Sequence, residues 1–438
     1  MYVNEQEFIE GMSTFLGGYY FVACAMNACA VWYALRQRRY ARSVLWILVA
    51  VTFGVLGCQA LAGRPLELPD SFRNSVDALL GPVTFTLGSF VTLVVLFLGR
   101  RFFVIPAVAW GGLNGSLLFM GASMTDPQFA AIVTKPDNVP IVAMVYLLAF
   151  FTWWGAAQAV ENDARIAQGL GPVEKEYDDT VLVWPDVMYI ELIGIIIGIV
   201  VLVVWSIVLK APLEEPANPV VTPNPSKAPW YFLGLQEMLV FFDASIAGVT
   251  LPILIILGLM AIPYLDFNTK GNGYYTIKER RFAYLVFQFG FLQLWILLIL
   301  IGTFMRGPNW NFFGLYEVQD PHKVLALNNV KLSEYFWVML IGRSVPQVPI
   351  GSGMMVQLGA ILWREIAGVV ALLIYFILLP VLMGWTMFYD FRRRMGPARY
   401  TIMSLLLLMM LMLPLKMILR WTLNLSYIVS MPEYFFNF

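Results

Sequence analysis

Of 438 residues, 60% are apolar and only 13% charged, and the mean hydropathy is +0.73, so water-facing surface is too scarce for a soluble globule of this length. Basic and acidic residues number 28 each; the zero net charge argues against nucleic acid as a partner and makes the placement of charge along the chain the informative quantity. The class expected is an all-α polytopic transmembrane protein.

The opening MYVNEQEFIEGM carries three glutamates and no basic residue, unlike the cationic start of a cleaved signal peptide, and is expected to be retained. Apolar runs long enough to cross a bilayer follow at roughly 14–35, 43–63, 78–99, 102–122, 139–160, 187–209, 245–265, 282–304, 366–388 and 400–420, about ten spans in all. Cys24, Cys29 and Cys58 all fall in apolar segments without a CxxC or CxxCH pattern, which disfavours disulfide, zinc and attached-haem readings.

Sidedness follows from where Lys and Arg fall between the spans. Arg36, Arg38, Arg39 and Arg42 fill the first loop, Arg100 and Arg101 the third, Lys278, Arg280 and Arg281 the seventh, and Arg392, Arg393, Arg394 and Arg399 the ninth. All are odd loops. The short even loops are poorer in basic residues, and the long eighth loop, about 306–364, is discounted because long loops cross largely regardless of charge. Both termini and the stretch Ala217–Trp230 are therefore expected on the outer side. The fifth loop, Glu161–Pro185, is acidic through Glu174, Glu176, Asp178 and Asp179 and marks a boundary between front and rear portions.

The rear portion is organised around ANPVVTPNPSKAPWYFLGLQEMLVFFD, residues 217–243. Pro219, Pro223, Pro225 and Pro229 forbid a helix and favour extended backbone. From Trp230 the prolines stop and helical spacing begins, which brings Trp230 and Glu237 within roughly 20° of one face. Asp243, at the end of that helix, reads as a turn or capping residue. In the eighth loop, RGPNWNFFGLYEVQDPHK and the amphipathic piece Leu332–Ile341 mix aromatic and polar residues in a way that suits the headgroup level or a partner's surface.

From Trp184 the order WPDVMYIE, an apolar span, EEPANPVVTPNPSKAPWYFLGLQEML, a span ending GLMAIPYLD and a third span resembles the C-terminal half of cytochrome b. The likeness is to the separate subunit IV of cytochrome bf complexes and its bacterial menaquinol-oxidising relatives, and it covers about 184–305. It implies a core of that kind at 184–305, preceded by a five-span accessory region at 1–165 and an acidic cytoplasmic linker at 166–183. An outer loop with its amphipathic segment at 306–365 and two further spans with a tail at 366–438 complete the chain. In that family the loop closes the quinol-oxidation pocket on the outer side with a Pro-Glu-Trp-Tyr core. Here Ala228, Pro229, Trp230 and Tyr231 occupy those places, so the family's glutamate is missing.

The resemblance implies a quinol site formed by Pro229, Trp230, Tyr231, Leu233, Gln236 and Glu237, with a quinol, menaquinol by family likeness, as substrate. Oxidation needs a flat apolar slot, a hydrogen-bond partner for each hydroxyl and a base. Tyr231 is expected to supply a hydroxyl contact and Glu237 the substitute base, since a carboxyl near the bilayer interior has a raised pKa. The blander reading pairs Glu237 with a polar neighbour. Asp186 and Glu191, at the start of the sixth span, suit an inner-side quinone or proton site, and a helix-start carboxylate favoured by the dipole is the simpler account. Lys227 and Arg306 read as outer-interface anchors.

A transmembrane cytochrome b holds two haems with four histidines; the only histidine here is His322, in the outer loop, where a surface role is the ordinary one. No metal is expected on this chain. The haems and iron–sulfur cluster implied by the resemblance must sit on partners: a haem-bearing subunit like the N-terminal half of cytochrome b, a Rieske-type protein and a cytochrome c subunit. The expectation is a haem-free subunit of a dimeric quinol–cytochrome c reductase in the bacterial cytoplasmic membrane, coupling electron transfer to proton release. The alternatives are a structural subunit with a degenerate quinol site and a ten-span transporter, the latter predicting charged or broken-helix residues at mid-span, of which few are visible.

Overall fold

The computed structural model describes residues 5–176, 180–208, 216–324, 328–349 and 351–438; Asp178 and Asp179 of the acidic linker, and Glu214 and Glu215 ahead of the proline-rich approach, lie outside the described residues. Helices dominate, as the apolar runs demand. Among the described residues eight helices are long and apolar enough to cross a membrane, or up to nine if a bent pair counts as one crossing. The chain is thus an all-α polytopic membrane protein, with fewer qualifying spans than the ten expected.

Two local causes account for the difference. The pair α3 (Asp70–Leu79) and α4 (Pro82–Leu98) is bent by 81°, because Gly81 and Pro82 end one helix and start the next, and α3 is polar. The other helix, α5 (Pro106–Ser123), contains Gly111, Gly112, Asn114, Gly115 and Ser116, which dilute its apolar character below that of a lipid-facing span.

Contacts divide the chain into two compact units, one made of Met1–Val133, Asn224–Thr269 and Phe282–Phe438, the other of Thr134–Pro223 and Lys270–Arg281. In the first unit α1 (Glu5–Arg36) and α2 (Tyr40–Leu61) form a hairpin so close that a Cβ at Gly17 would meet Leu61 at 2.6 Å. On α1 lies α5, antiparallel: Tyr19 donates to the Leu117 carbonyl at 2.7 Å, and further along the Asn27 amide donates to Asn114 Oδ1 at 2.5 Å. Trp110 Nε1 closes this buried network on Asn27 Oδ1 at 3.0 Å. A polar group placed between two spans is costly without such a partner.

The rear of the same unit holds α8 (Trp230–Met238), α9 (Ile246–Leu265), α10 (Arg281–Met305), α12 (Ile366–Trp385) and α13 (Pro397–Leu423), with α11 (Met354–Arg364) leading into α12. Along α10 the backbone is π-wound over Gln288–Ile296 and again over Ile301–Met305. α4 runs antiparallel to α10, with Gln293 Nε2 donating to Thr86 O at 3.2 Å and Ser89 Oγ at 2.9 Å, and Phe97 lying against Tyr284. After α13 the chain folds back as a ribbon of β1 (Ser430–Met431) and β2 (Phe436–Asn437), paired antiparallel. It is held by Arg364, which donates to Glu433, Glu365 and the Ser430 carbonyl.

Inside α13, Lys416 is fully buried; its Nζ donates to Ser426 O at 2.6 Å and lies over the rings of Phe242 and Tyr427. One turn on, Arg420 donates to Asn329 Oδ1 at 2.5 Å. Among the described residues neither cation has a carboxylate within ion-pair distance.

In the second unit, α6 (Val139–Ala167) ends in a polar knot. Asp163 accepts from Thr276 Oγ1 at 2.6 Å and from Lys278 N at 3.1 Å, and Asn162 donates to Glu174 and to the Tyr275 carbonyl. The apolar helix α7 (Met188–Val208) is exposed along its whole length in this chain.

Candidate functional site

The proline-rich approach runs extended and mostly exposed into α8, whose N-cap is Pro229. Gln236 ties the loop down from within the helix: Oε1 accepts from Ala228 N at 2.8 Å and Nε2 donates to Ser226 O at 2.9 Å. Lys227, expected at the interface, places Nζ on the Thr303 carbonyl at 2.9 Å. At the head of α8 three aromatics stand exposed in a row. Trp230 meets Tyr231 edge to face at 5.6 Å, and Phe232 lies 4.7 Å from Tyr231.

Farther along, α8 packs on α10. Leu233, Gly234, Glu237 and Met238 are buried there, with Gly234 against Ile299. Although Trp230 and Glu237 share a helical bearing, one is 39% exposed and the other fully buried.

Glu237 faces Arg306 in a bidentate ion pair. Nη2 donates to Oε1 at 2.6 Å and Nε to Oε2 at 2.9 Å, while Trp310 Nε1 adds a hydrogen bond to Oε2 at 3.2 Å. Arg306 Nη1 in turn donates to the Trp310 carbonyl at 2.8 Å, and the guanidinium lies over Phe312. Burial pushes the Glu237 carboxyl up from the ordinary carboxylate range, and the Arg306 charge and hydrogen bonds, the Trp310 indole and the more distant Lys227 pull against that rise. The reading of Arg306 as an interface anchor is corrected: it is buried, because a carboxylate without water requires a paired cation.

Asp243 caps the turn after α8, accepting from Ser245 N at 3.1 Å and Ser245 Oγ at 3.0 Å, and takes the Asn437 amide at 3.1 Å. Asp186 and Glu191 belong to the second unit, where both are exposed. His322 is exposed, its backbone N–H on Asp320. Among the described residues no group of three His, Cys, Asp or Glu could hold a metal ion, and with a single histidine the chain offers no pair of axial ligands for a bis-histidine haem.

Arg306, Asn309 and Trp310 were not legible as parts of this site from the sequence. The signal that existed was an arginine closing an apolar span in RGPNW, opposite the one carboxylate of α8.

Residues 216–318 match the family described as cytochrome b (C-terminal)/b6/petD, a stretch that contains the proline-rich approach, α8, α9, α10 and the Arg306–Trp310 turn. No solved structure matches the chain. The family match, over less than half of the chain, supports the resemblance read from the loop and the two spans after it, and suggests a membrane subunit related to quinol oxidoreductases.

Proposed function

We propose that this chain is the haem-free membrane subunit of a bacterial cytochrome bc-type quinol–cytochrome c oxidoreductase, forming part of the quinol-oxidation site at the outer face. The observation that carries the reading is the row Trp230–Tyr231–Phe232, exposed at the end of a proline-rich approach inside the family-matched stretch. Three exposed aromatic rings beside an ordered loop suit one wall of a flat apolar slot, to be closed by a second subunit. The haem-bearing subunit, a Rieske-type protein and a cytochrome c subunit would be the partners, in a dimeric complex, with menaquinol as the substrate. Their haems and cluster would supply the electron acceptors; this chain's side chains bind and orient the quinol and handle its protons.

In this reading Pro229, Trp230 and Leu233 shape the wall, Tyr231 Oη bonds a quinol hydroxyl, Gln236 fixes the loop and Glu237 accepts a proton. Accepting one would neutralise the partner of Arg306 and leave the guanidinium on the Trp310 carbonyl it already touches. Asp186 and Glu191 would serve a second quinone or proton site on the inner face.

The outer location is argued from the distribution of Lys and Arg between the spans; helices α1 and α5 are antiparallel, as are α4 and α10, the relative directions expected if α4 and α5 both cross.

The bidentate ion pair also favours a second reading, a structural subunit whose quinol site has degenerated. Purifying the chain with its partners and recording a reduced-minus-oxidised haem spectrum tests the partnership. Tyr231→Phe and Glu237→Gln in that complex then test the site: Tyr231→Phe is expected to cut quinol oxidation about tenfold, the equivalent of one lost hydrogen bond. Full turnover in both variants would leave only the structural role.

A further inference from the structure

Asn309 and Trp310 are consecutive non-glycine residues in the left-handed region, with φ of 59° and 56°. Such backbone is strained for residues with a side chain and persists only where surrounding contacts over-determine it. Here they do. Asn224, in the proline-rich approach, exchanges two hydrogen bonds with Asn309, its Nδ2 donating to Oδ1 at 2.9 Å and its Oδ1 accepting from Asn309 N at 2.6 Å, and Asn309 Nδ2 reaches the Pro321 carbonyl at 2.8 Å. The turn thus held presents Trp310 twice to the buried pair, through its indole N–H to Glu237 and through its carbonyl to Arg306.

We propose that Trp310 is a positioning residue for quinol oxidation, the left-handed Asn309–Trp310 turn holding one donor on the carboxylate of Glu237 and one acceptor on the guanidinium of Arg306. The inference rests on the proposed role of Glu237 as proton acceptor. The charged groups acting on Glu237 are Arg306, at the end of α10, and Lys227, in the proline-rich approach; Trp310 is the neutral third partner. An indole N–H bonded to a carboxylate favours its charged form, so removing that donor raises the pH at which the base becomes available.

The test uses the complex purified with its partners, with menadiol as donor and the haem spectrum as the measure of assembly. In Trp310→Phe the acid limb of the rate profile is expected to move to higher pH by roughly half to one unit. Asn309→Val, which keeps the indole but disfavours the left-handed turn, is expected to move it in the same direction, and Asn309→Gly, which permits the turn, to leave it in place. An unmoved limb in an assembled Trp310→Phe complex overturns the proposal, and so does failure of both Trp310→Phe and Asn309→Val to assemble, which assigns the turn a structural role alone. If Glu237→Gln retains full turnover, the parent reading fails; if it is impaired while Trp310→Phe keeps its profile, only the positioning role does.

Discussion

A carboxylate and a guanidinium taken out of water together are worth little against a pair of apolar side chains, but removing one of them strands the other. Glu237 and Arg306 are in that position. Arg306→Met is therefore expected to destabilise the protein by about 3–5 kcal/mol, whereas Glu237→Leu combined with Arg306→Met regains most of the loss; thermal unfolding of the purified complex checks both. Such a cycle also separates the cost of a broken pair from any effect on turnover. Glu237 could be singled out in the sequence because it is the one carboxylate of its helix. Its partner stands 69 positions away, beyond the reach of periodicity, and the left-handed turn at Asn309 leaves no pattern in a loop rich in Asn, Pro and Gly.

Elements were legible where apolarity alone decides them. The spans containing α2, α7, α9, α10, α12 and α13 were read within a few residues of their ends, whereas α1 starts nine residues before its apolar run at 14–35 and α6 ends seven residues beyond its run at 139–160; the kink at Gly81–Pro82 and the π-wound turns of α10 were not read. A wide turn shifts every later side chain around the axis, so a 3.6-residue count cannot say which face of α10 reaches α8. The β1–β2 ribbon was missed because two-residue strands carry no alternation. Its attachment gives a pH dependence. Arg364 holds the Glu433 carboxyl below the usual carboxylate range, and at Asp243 burial pushes upward but the bonds from Asn437 and Ser245 outweigh it, leaving that group lowered too. Both native values lie below their unfolded values of about 4, so the stabilisation is full above that pH and disappears as pH falls through the lowered values. Protection factors against hydrogen exchange at residues 428–438, corrected for the intrinsic rate at each pH, are expected to be high at pH 6 and to fall on acidification below about pH 4; equal protection at both would show that the ribbon is held by packing alone.

For the molecule as a whole, the number of crossings decides sidedness, since a change of one reverses every later loop while a change of two reverses none. Eight and ten crossings therefore agree that the proline-rich approach is outside, and nine do not. Cysteines placed at Asn218 and Arg393 are expected to differ in intact cells, the first reacting with a membrane-impermeant maleimide and the second only after permeabilisation. The interior of α13 bears on how the chain is made. Lys416 finds its partner in Ser426, just past the helix, whereas Arg420 bonds to Asn424 at the helix end and to Asn329, 91 positions earlier, so a nascent α13 leaving the translocon before the residues after it fold back would carry Lys416 bare toward lipid, at a cost of up to about 3 kcal/mol at mid-membrane and less near the end. Biogenesis should then be coupled to the residues that follow: chains stopped at Leu423 would insert their last segment poorly in a microsomal glycosylation assay, and Lys416→Leu would restore it.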